Sequence, residues 1–265
     1  MGIIKVDSIK TGYEDRIIID DLSLKIKRGA ITTIIGENGS GKSTLLKTIG
    51  RILKPKKGEI TVNDLNVHRT STKEIAKIIG MLPQSPKAPS GLSVCEVVEY
   101  GRFPHKKNRG KLTAEDYEVI DWALKNTNLL EFKDRNINAL SGGQRQRVWI
   151  AMVLAQQTDV ILLDEPTTYL DMAYQLEVLQ LVQRLNKEKN ITVVMVLHDI
   201  NQASRFSDEL VMLKKGSIVA QGEPKYAMTE DVLRTVFDIE ATLVNIPGTD
   251  NPVCISYELL RGQHG

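Results

Sequence analysis

The stretch "AITTIIGENGSGKSTLLKTIG" limits the possible fold more than any other part of the sequence. An apolar run ends in a glycine-rich loop from Gly36 to Thr44, and a helix-forming segment follows it. A strand, this loop and a helix in that order form the context of a phosphate-binding loop, or P-loop. Because such strands belong to buried parallel sheets, the sequence predicts an α/β domain.

The P-loop has the backbone and the side chains that a nucleotide needs. Its glycines allow successive N–H groups to face a β-phosphate at the positive end of the following helix. Lys42 would supply a charge to the β- and γ-phosphates, and the Ser43 hydroxyl would be a ligand of Mg²⁺. We therefore predict that ATP is bound by Gly36, Glu37, Asn38, Gly39, Ser40, Gly41, Lys42, Ser43 and Thr44.

Two further apolar runs end in residues whose side chains can bind a metal ion or transfer a proton. "DVILLDE" ends on Asp164 and Glu165, and "ITVVMVLHD" leads to His198. Ligands of open parallel sheets lie beyond the carboxyl ends of the strands, so all three runs are expected to point toward one rim. We predict that Asp164 holds Mg²⁺, that Glu165 deprotonates the attacking water, and that His198 contacts the γ-phosphate. An Asp-Glu pair that only caps a strand is the structural alternative.

The middle of the chain differs in character from its two ends. Residues 89–149 follow a proline-containing break, and capping-box patterns at Ser93 and Thr113 predict two helices. These residues are expected to form a helical subdomain inserted into one domain that spans the whole chain. Residues 1–88 and 150–265 would form the α/β lobe, with an antiparallel fringe of strands near the N-terminus.

The motifs "GENGSGKST", "LPQ", "LSGGQRQR", "ILLDEPTTYLD" and "VLHD", in this order, resemble the nucleotide-binding subunit of ABC transporters. The resemblance covers nearly the whole chain, and "LSGGQ" is the signature of that family. It implies the ABC ATPase fold: a P-loop NTPase core of the RecA-like type, an antiparallel β fringe and an inserted helical subdomain. It also implies ATP and Mg²⁺ as cofactors.

The resemblance assigns roles to four residues that their own chemistry leaves open. Tyr13 would stack on adenine, and Gln84 would bridge Mg²⁺, the attacking water and a transmembrane partner. Asp171 would belong to a loop that communicates across a dimer, and His198 would be the switch histidine. A turn aromatic remains the alternative for Tyr13, and a solvated turn residue remains the alternative for Gln84.

The signature "LSGGQ" is a second glycine-rich segment suited to an anion, because Ser141, Gly142 and Gly143 open a helix. At the end of a helical subdomain it would be badly placed for the ATP held by Lys42 of its own chain. It would be well placed to cover the γ-phosphate held by a second copy. We therefore expect a head-to-tail dimer in which the nucleotide also meets Ser141, Gly142, Gly143, Gln144 and Asp171.

A narrower likeness concerns the substrate of the transporter. "GRFPH", "AQQTDVILLDEPTTYLDMAYQLEVL" and "LHDINQASRFSD" are similar to the ATPases of importers for iron–siderophore complexes, a group that includes haem and cobalamin importers. The resemblance implies permease subunits, a substrate-binding protein outside the membrane, and a location at the cytoplasmic face of the membrane. An exporter or metal-ion importer subunit remains the alternative within transport.

Composition and motif spacing argue against the other classes of protein that contain an ABC ATPase domain. Lys and Arg total 35 against 33 for Asp and Glu, so the net charge of +2 favours no nucleic-acid partner. The interval between the two glycine-rich motifs is too short for the coiled coil of a chromosome-associated ATPase. A ribosome-associated protein would carry two cassettes. No apolar run is long enough for a membrane span.

Overall fold

The computed structural model describes residues 2–106, 110–246 and 248–260. In these ranges the strands are β1 (Gly2–Tyr13), β2 (Arg16–Lys27), β3 (Ile31–Gly36), β4 (Lys57–Val62), β5 (Leu65–Asn66), β6 (Ile79–Leu82), β7 (Val160–Asp164), β8 (Thr192–Val196), β9 (Glu209–Lys214), β10 (Ser217–Gly222), β11 (Ile239–Asn245) and β12 (Pro252–Leu259). The α-helices are α1 (Lys42–Ile49), α2 (Thr72–Ile75), α3 (Val94–Glu99), α4 (Ala114–Asn126), α5 (Gly142–Ala155), α6 (Met172–Lys189), α7 (Ile200–Phe206), α8 (Pro224–Ala227) and α9 (Glu230–Phe237).

The chain divides into two compact units. The first unit comprises Met1–Arg69 with Thr192–Gly265, and the second comprises Thr70–Ile191. The predicted helical subdomain, residues 89–149, falls inside the second unit, whose bounds are wider because they also enclose β6, β7 and α6. That residues 89–149 form a separate subdomain with these bounds remains a prediction.

The first unit contains the strand that leads into the P-loop. β3 lies between β8 and β9, parallel to both, and β10 runs antiparallel to β9. Every residue of β3 is buried, which explains its continuous apolar character. β1, β2, β4 and β5 form the predicted antiparallel fringe, although β1 and β2 are long, with 12 residues each. β11 and β12 pair as a separate hairpin.

The second unit combines a parallel strand pair with helices. β6 and β7 are parallel, and β7 is buried along its whole length. Ser93 and Thr113 close capping boxes at the starts of α3 and α4, as their spacing predicts. Apart from the isolated bridge between Ser93 and Asn136, the described part of residues 89–149 is built from helices, turns and loops.

A buried ion pair joins the helices of the second unit. Arg102 Nε donates to Asp116 Oδ1 at 2.8 Å, and an Arg102 amino group donates to Ala155 O at 2.7 Å, at the end of α5. Burial raises the pKa of Asp116, but hydrogen bonds from Thr113 and Arg102 outweigh it and hold the pKa below its ordinary value. The ion pair therefore anchors α5, the helix that the signature motif opens.

Among the described residues, no helix is both long enough and apolar enough to cross a membrane.

Candidate nucleotide-binding site

The P-loop takes its shape from glycines in two different ways. Gly39 and Gly41 have φ angles of 79° and 104°, which side chains with a Cβ atom rarely adopt. Gly36 is needed for space, because a Cβ atom there would lie 2.0 Å from the carbonyl oxygen of Leu213. The loop therefore requires glycine at all three positions.

Lys42 is buried at the start of α1 and faces the inside of the P-loop. Its Nζ donates to the carbonyl oxygens of Gly36 and Glu37, both at 2.8 Å. Ser40 Oγ is also buried in the loop and makes no hydrogen bond with any described residue. A phosphate oxygen could accept a hydrogen bond from this hydroxyl. The buried hydroxyl therefore supports anion binding by the loop independently of the sequence motif.

The electrostatics of α1 favour the same ligand. Gly41, the N-cap, has no side chain to satisfy the first N–H groups, and the first turn contains no acidic residue. The positive end of the helix dipole is therefore not compensated by a carboxylate of that turn. Backbone N–H groups, the dipole and Lys42 together make this end of α1 an anion site.

The turn between β9 and β10 supports the P-loop, a feature that the sequence analysis missed. Gly216 N donates to the carbonyl oxygen of Ser40 at 2.8 Å, and Leu213 packs against Gly36. Ile18 of β2 lies on another side of the loop, 3.3 Å from where a Cβ atom on Gly41 would be. The "KKG" turn signal is visible in the sequence, but nothing local links it to the P-loop.

Two predicted site residues of the first unit lie on loops and strand ends. Tyr13 ends β1 and is 43% exposed, so its ring is open to a stacking partner. His198 is exposed and follows β8, the parallel neighbour of β3. The carboxyl ends of the neighbouring parallel strands β3 and β8 therefore lead into the P-loop and to His198, and contact of His198 with a phosphate remains a prediction.

Asp164 and Glu165 have different environments in the second unit. Asp164 ends β7 and is 1% exposed. Glu165 is half-buried and has a φ angle of 52°, a strained conformation for this residue type. Gln84 Nε2 donates to Glu165 Oε2 at 2.6 Å, and Thr168 Oγ1 donates to the same oxygen at 3.1 Å. The structure thus brings Gln84 and Glu165 together, and it adds Thr168, which the sequence analysis did not name.

The signature motif opens α5 with a capping box. Ser141 Oγ accepts a hydrogen bond from Gln144 N, and Gln144 Oε1 accepts one from Ser141 N. The N–H groups of Gly142 and Gly143, in the first turn, have no acceptor within the helix. They are the groups with which this helix can bind an anion.

The two signature glycines have different surroundings. A Cβ atom on Gly143 would lie 2.6 Å from the ring of Tyr174 in α6, so α5 and α6 need glycine there for their close approach. A Cβ atom on Gly142 would meet no atom within 4 Å. Asp171, the N-cap of α6, is exposed and accepts from Tyr174 N.

The predicted metal ligands are a hydroxyl, a carboxylate and an amide oxygen. The described residues contain no group of three or more His, Cys, Asp or Glu side chains that could hold a metal ion. Mg²⁺ needs no such group, since it keeps several waters and is bound by phosphates with one or two carboxylates. Ser43, Asp164 and Gln84 each have an oxygen atom of the kind that Mg²⁺ binds, and their role as a joint metal site remains a prediction.

A parallel sheet, a P-loop with a buried lysine, and a buried aspartate at the end of a second parallel strand pair define a P-loop nucleotide hydrolase. Residues 19–168 match the ABC transporter family. The chain is 52% identical over 263 residues to the iron(3+)-hydroxamate import ATP-binding protein of Bacillus subtilis, covering 99% of this chain and 98% of the relative. It is 47% identical to the petrobactin import ATP-binding protein FpuD of Bacillus anthracis, covering 92% and 90% of the two chains.

A solved structure extends the likeness to the fold. A dimeric ATP-binding cassette in a post-hydrolysis state, bound to ADP and Pi, superposes with a TM-score of 0.72 at 35% identity and covers 83% of this chain and 98% of its own. The chain belongs to the ABC transporter family, and it is an ATP-binding subunit that hydrolyses ATP. The predicted fold class is confirmed.

Proposed function

We propose that this chain energises a membrane importer of iron–siderophore complexes. The observation that carries the proposal is the 52% identity, over 99% of the chain, to an iron(3+)-hydroxamate import ATP-binding protein. The petrobactin relative agrees in substrate class, because its name also specifies a siderophore. Nothing in an ATP-binding subunit recognises the siderophore, so the substrate class rests on this similarity and the residues below act on ATP.

The P-loop residues, Gly36 to Thr44, hold the phosphates of ATP. Lys42 exchanges its hydrogen bonds to Gly36 and Glu37 for contacts with the β- and γ-phosphates. Tyr13 stacks on the adenine ring. The Ser43 hydroxyl, Asp164 and Gln84 would hold Mg²⁺, which supplies charge neutralisation to the phosphates when bound.

Glu165 acts as the general base for the attacking water. The strained backbone and the hydrogen bond from Thr168 fix the direction of its carboxylate, and Gln84 donates to the same oxygen. A water that replaces Gln84 at this oxygen would be oriented for deprotonation. His198 contacts the γ-phosphate from the end of β8. Movement of Gln84 away from Glu165 would therefore make room for the attacking water and permit hydrolysis.

A second copy of the chain completes each site. Ser141, Gly142, Gly143 and Gln144 of one copy cover the γ-phosphate held by the other, and Asp171 lies at the contact between copies. Gly142 supports this arrangement, because it is open on its Cβ side and its N–H has no helical acceptor. The relative solved as a dimer with ADP and Pi supports the pairing. Closure around ATP must be favoured by a few kcal/mol to shift the population decisively.

The closed and open dimers drive permease subunits, with the chain at the cytoplasmic face of the membrane. A short helix of the permease would contact the region near Gln84 and the prolines that follow it. A substrate-binding protein outside the membrane would deliver the siderophore complex. No nucleic acid takes part.

Uptake of ⁵⁵Fe-labelled ferrichrome, a hydroxamate, tests the substrate class. The chain, produced in a Bacillus strain that lacks its own hydroxamate import ATPase, is expected to restore uptake. The variant K42A, produced at the same level, is expected to restore none. Haem or cobalamin uptake restored in the matching deletion strains, with ferrichrome uptake still absent, would contradict the siderophore assignment but leave the ATPase intact.

A further inference from the structure

Asp238 occupies a position that local energetics disfavour for an aspartate. It follows α9 with a φ angle of 55°, in the left-handed conformation that glycine or asparagine usually adopts at the end of a helix. Its negative charge also lies at the negative end of the helix dipole. Because the backbone conformation and the position of the charge are both unfavourable here, we infer that the carboxylate makes a compensating contact with another part of the fold.

Lys214, the last residue of β9, is the partner of this carboxylate. Its Nζ donates to both carboxylate oxygens of Asp238 at 2.9 Å, and to the carbonyl oxygen of Thr235 at 2.6 Å. The hydrogen bond from Lys214 holds the pKa of Asp238 below its ordinary value, so the carboxylate is charged at neutral pH. Lys214 thus fastens the end of α9 to the end of β9.

The end of β9 is also the wall of the P-loop. Leu213, next to Lys214, presents the carbonyl oxygen against Gly36, and Gly216 donates to Ser40 O at 2.8 Å. The carboxylate of Glu37, the second residue of the P-loop, lies near the carboxylate of Asp238. The end of α9 is therefore linked to the P-loop through Lys214 and the turn that follows it, whose Gly216 is hydrogen-bonded to Ser40.

We propose that Lys214 and Asp238 are positioning residues for the P-loop, through which α9 (Glu230–Phe237) and the Asp238 that follows it set the affinity for ATP. They do not touch the phosphates. They hold the turn between β9 and β10 so that its backbone keeps Gly36 and Ser40 in the binding geometry. This proposal depends on the P-loop binding ATP as described under Proposed function.

A pure charge effect would have the opposite sign. If Asp238 acted only through its negative charge, its removal would raise the positive potential near the phosphates and ATP would bind more tightly. If the pair holds the turn, removal of either partner weakens binding. The direction in which the Kd for ATP changes when Asp238 is replaced therefore distinguishes the two explanations.

The variant D238G removes the carboxylate and also removes the backbone strain, so folding is preserved. We expect D238G and K214M each to raise the Kd for a fluorescent ATP analogue by about twofold to fivefold, the upper part of the range for loss of one exposed ion pair. D238N, which keeps an acceptor for Lys214 and tolerates the left-handed backbone, should remain within about twofold of the wild type. In the double variant K214M/D238G the losses should not add, because both changes remove one interaction.

The steady-state kinetics provide a second readout. KM for ATP should rise in D238G while kcat at saturating ATP stays within about twofold, since the residues position the loop and do not react. D231A is the matched control, because Asp231 is an exposed carboxylate on the same helix whose ion-pair partner is Arg234. We expect its Kd to be unchanged.

Two results would overturn the proposal. An unchanged or lower Kd in D238G would exclude a positioning role, and equal losses of affinity in D238G and D231A would show that the loss does not depend on the pair of Lys214 with Asp238. Failure of the wild type itself to bind the analogue, with K42A no different, would instead contradict the proposed function.

Discussion

The two glycine-rich motifs use glycine for different physical reasons. In the P-loop, Gly39 and Gly41 supply backbone angles and Gly36 supplies space, so the loop is shaped by its own chain. In the signature motif, Gly143 supplies space for Tyr174, but a Cβ atom on Gly142 would meet no described atom within 4 Å outside its neighbours and the backbone of its own helix. The fold explains every P-loop glycine that we have considered and leaves Gly142 to be explained by something outside the chain.

The two motifs also differ in the groups that each can offer to a phosphate. The P-loop has a buried cation, Lys42, and a buried hydroxyl, Ser40, so it has the chemistry of a complete phosphate site. The first three residues of α5, Gly142, Gly143 and Gln144, include no cation and offer backbone N–H groups beside the capping Ser141. The signature motif is suited to covering an anion that another element already holds.

The largest expected effect concerns the support of the signature helix. R102M removes the partner of the buried Asp116 and a hydrogen bond to the end of α5, and we expect a loss of about 3–5 kcal/mol in the free energy of unfolding, measured by urea denaturation. The double variant R102M/D116L, which buries no unpaired charge, should recover a large part of this loss. If R102M were as stable as the wild type, the ion pair would not anchor α5.

The stability that Asp116 contributes should depend on pH with a definite sign. Its folded-state pKa is lowered below the value of 3.8 that describes the unfolded chain, so the contribution is complete above that value. It is lost as the pH falls through the folded-state pKa. The difference in stability between wild type and R102M should therefore shrink in acid, and a difference that grew would contradict the ion-pair assignment.

K42A tests the P-loop side of the comparison. Loss of the charge-assisted contacts to the phosphates should weaken binding of a fluorescent ATP analogue by about 10- to 150-fold, equivalent to about 1.5–3 kcal/mol. The same titration on G142A should match the wild type, because the signature motif does not hold the nucleotide of its own chain. Equal losses in both variants would place the two motifs at one site within one chain.

G143A tests the steric reason for the second signature glycine. The added methyl group meets the Tyr174 ring, and we expect the free energy of unfolding to fall by about 1–3 kcal/mol. G143A/Y174A should be no less stable than Y174A alone, since the contact is already gone. Additive losses in the double variant would mean that Gly143 is required for another reason.

The smallest expected effect is on the stability of G142A, which should stay within about 0.5 kcal/mol of the wild type in thermal unfolding, because no atom opposes the methyl group. ATP turnover should nevertheless fall, since the methyl group enters the space assigned to the second copy. A fully active G142A enzyme would remove this glycine from the contact between copies.

Short-range patterns in the sequence predicted the local structure well. The P-loop and the capping boxes at Ser93 and Thr113 each depend on residues a few positions apart, so their chemistry is visible in the sequence. The buried runs that form β3 and β7 were equally visible, because strands covered on both faces are apolar throughout. The predicted α/β class followed from these elements.

Long-range contacts could not be predicted in the same way. The support of Ser40 by Gly216, the packing of Gly143 on Tyr174 and the hydrogen bond from Gln84 to Glu165 join residues that no local pattern connects. A family resemblance predicted the role of Gln84, whereas no pattern in the sequence pointed to Lys214 or Asp238. Unlike the capping residues, these side chains depend on how distant elements are brought together by the fold.

Mixing two inactive variants tests most directly whether the two motifs belong to one site made by two copies. K42A and G142D are each expected to have little ATPase activity, the first through lost nucleotide binding and the second because its carboxylate opposes the γ-phosphate. A mixed dimer contains one site with an intact P-loop from the G142D copy and an intact signature from the K42A copy. We predict that mixing restores ATPase activity in proportion to the mixed dimers formed. Mixtures that stay as inactive as the separate variants, although the two chains associate, would contradict a site shared between copies.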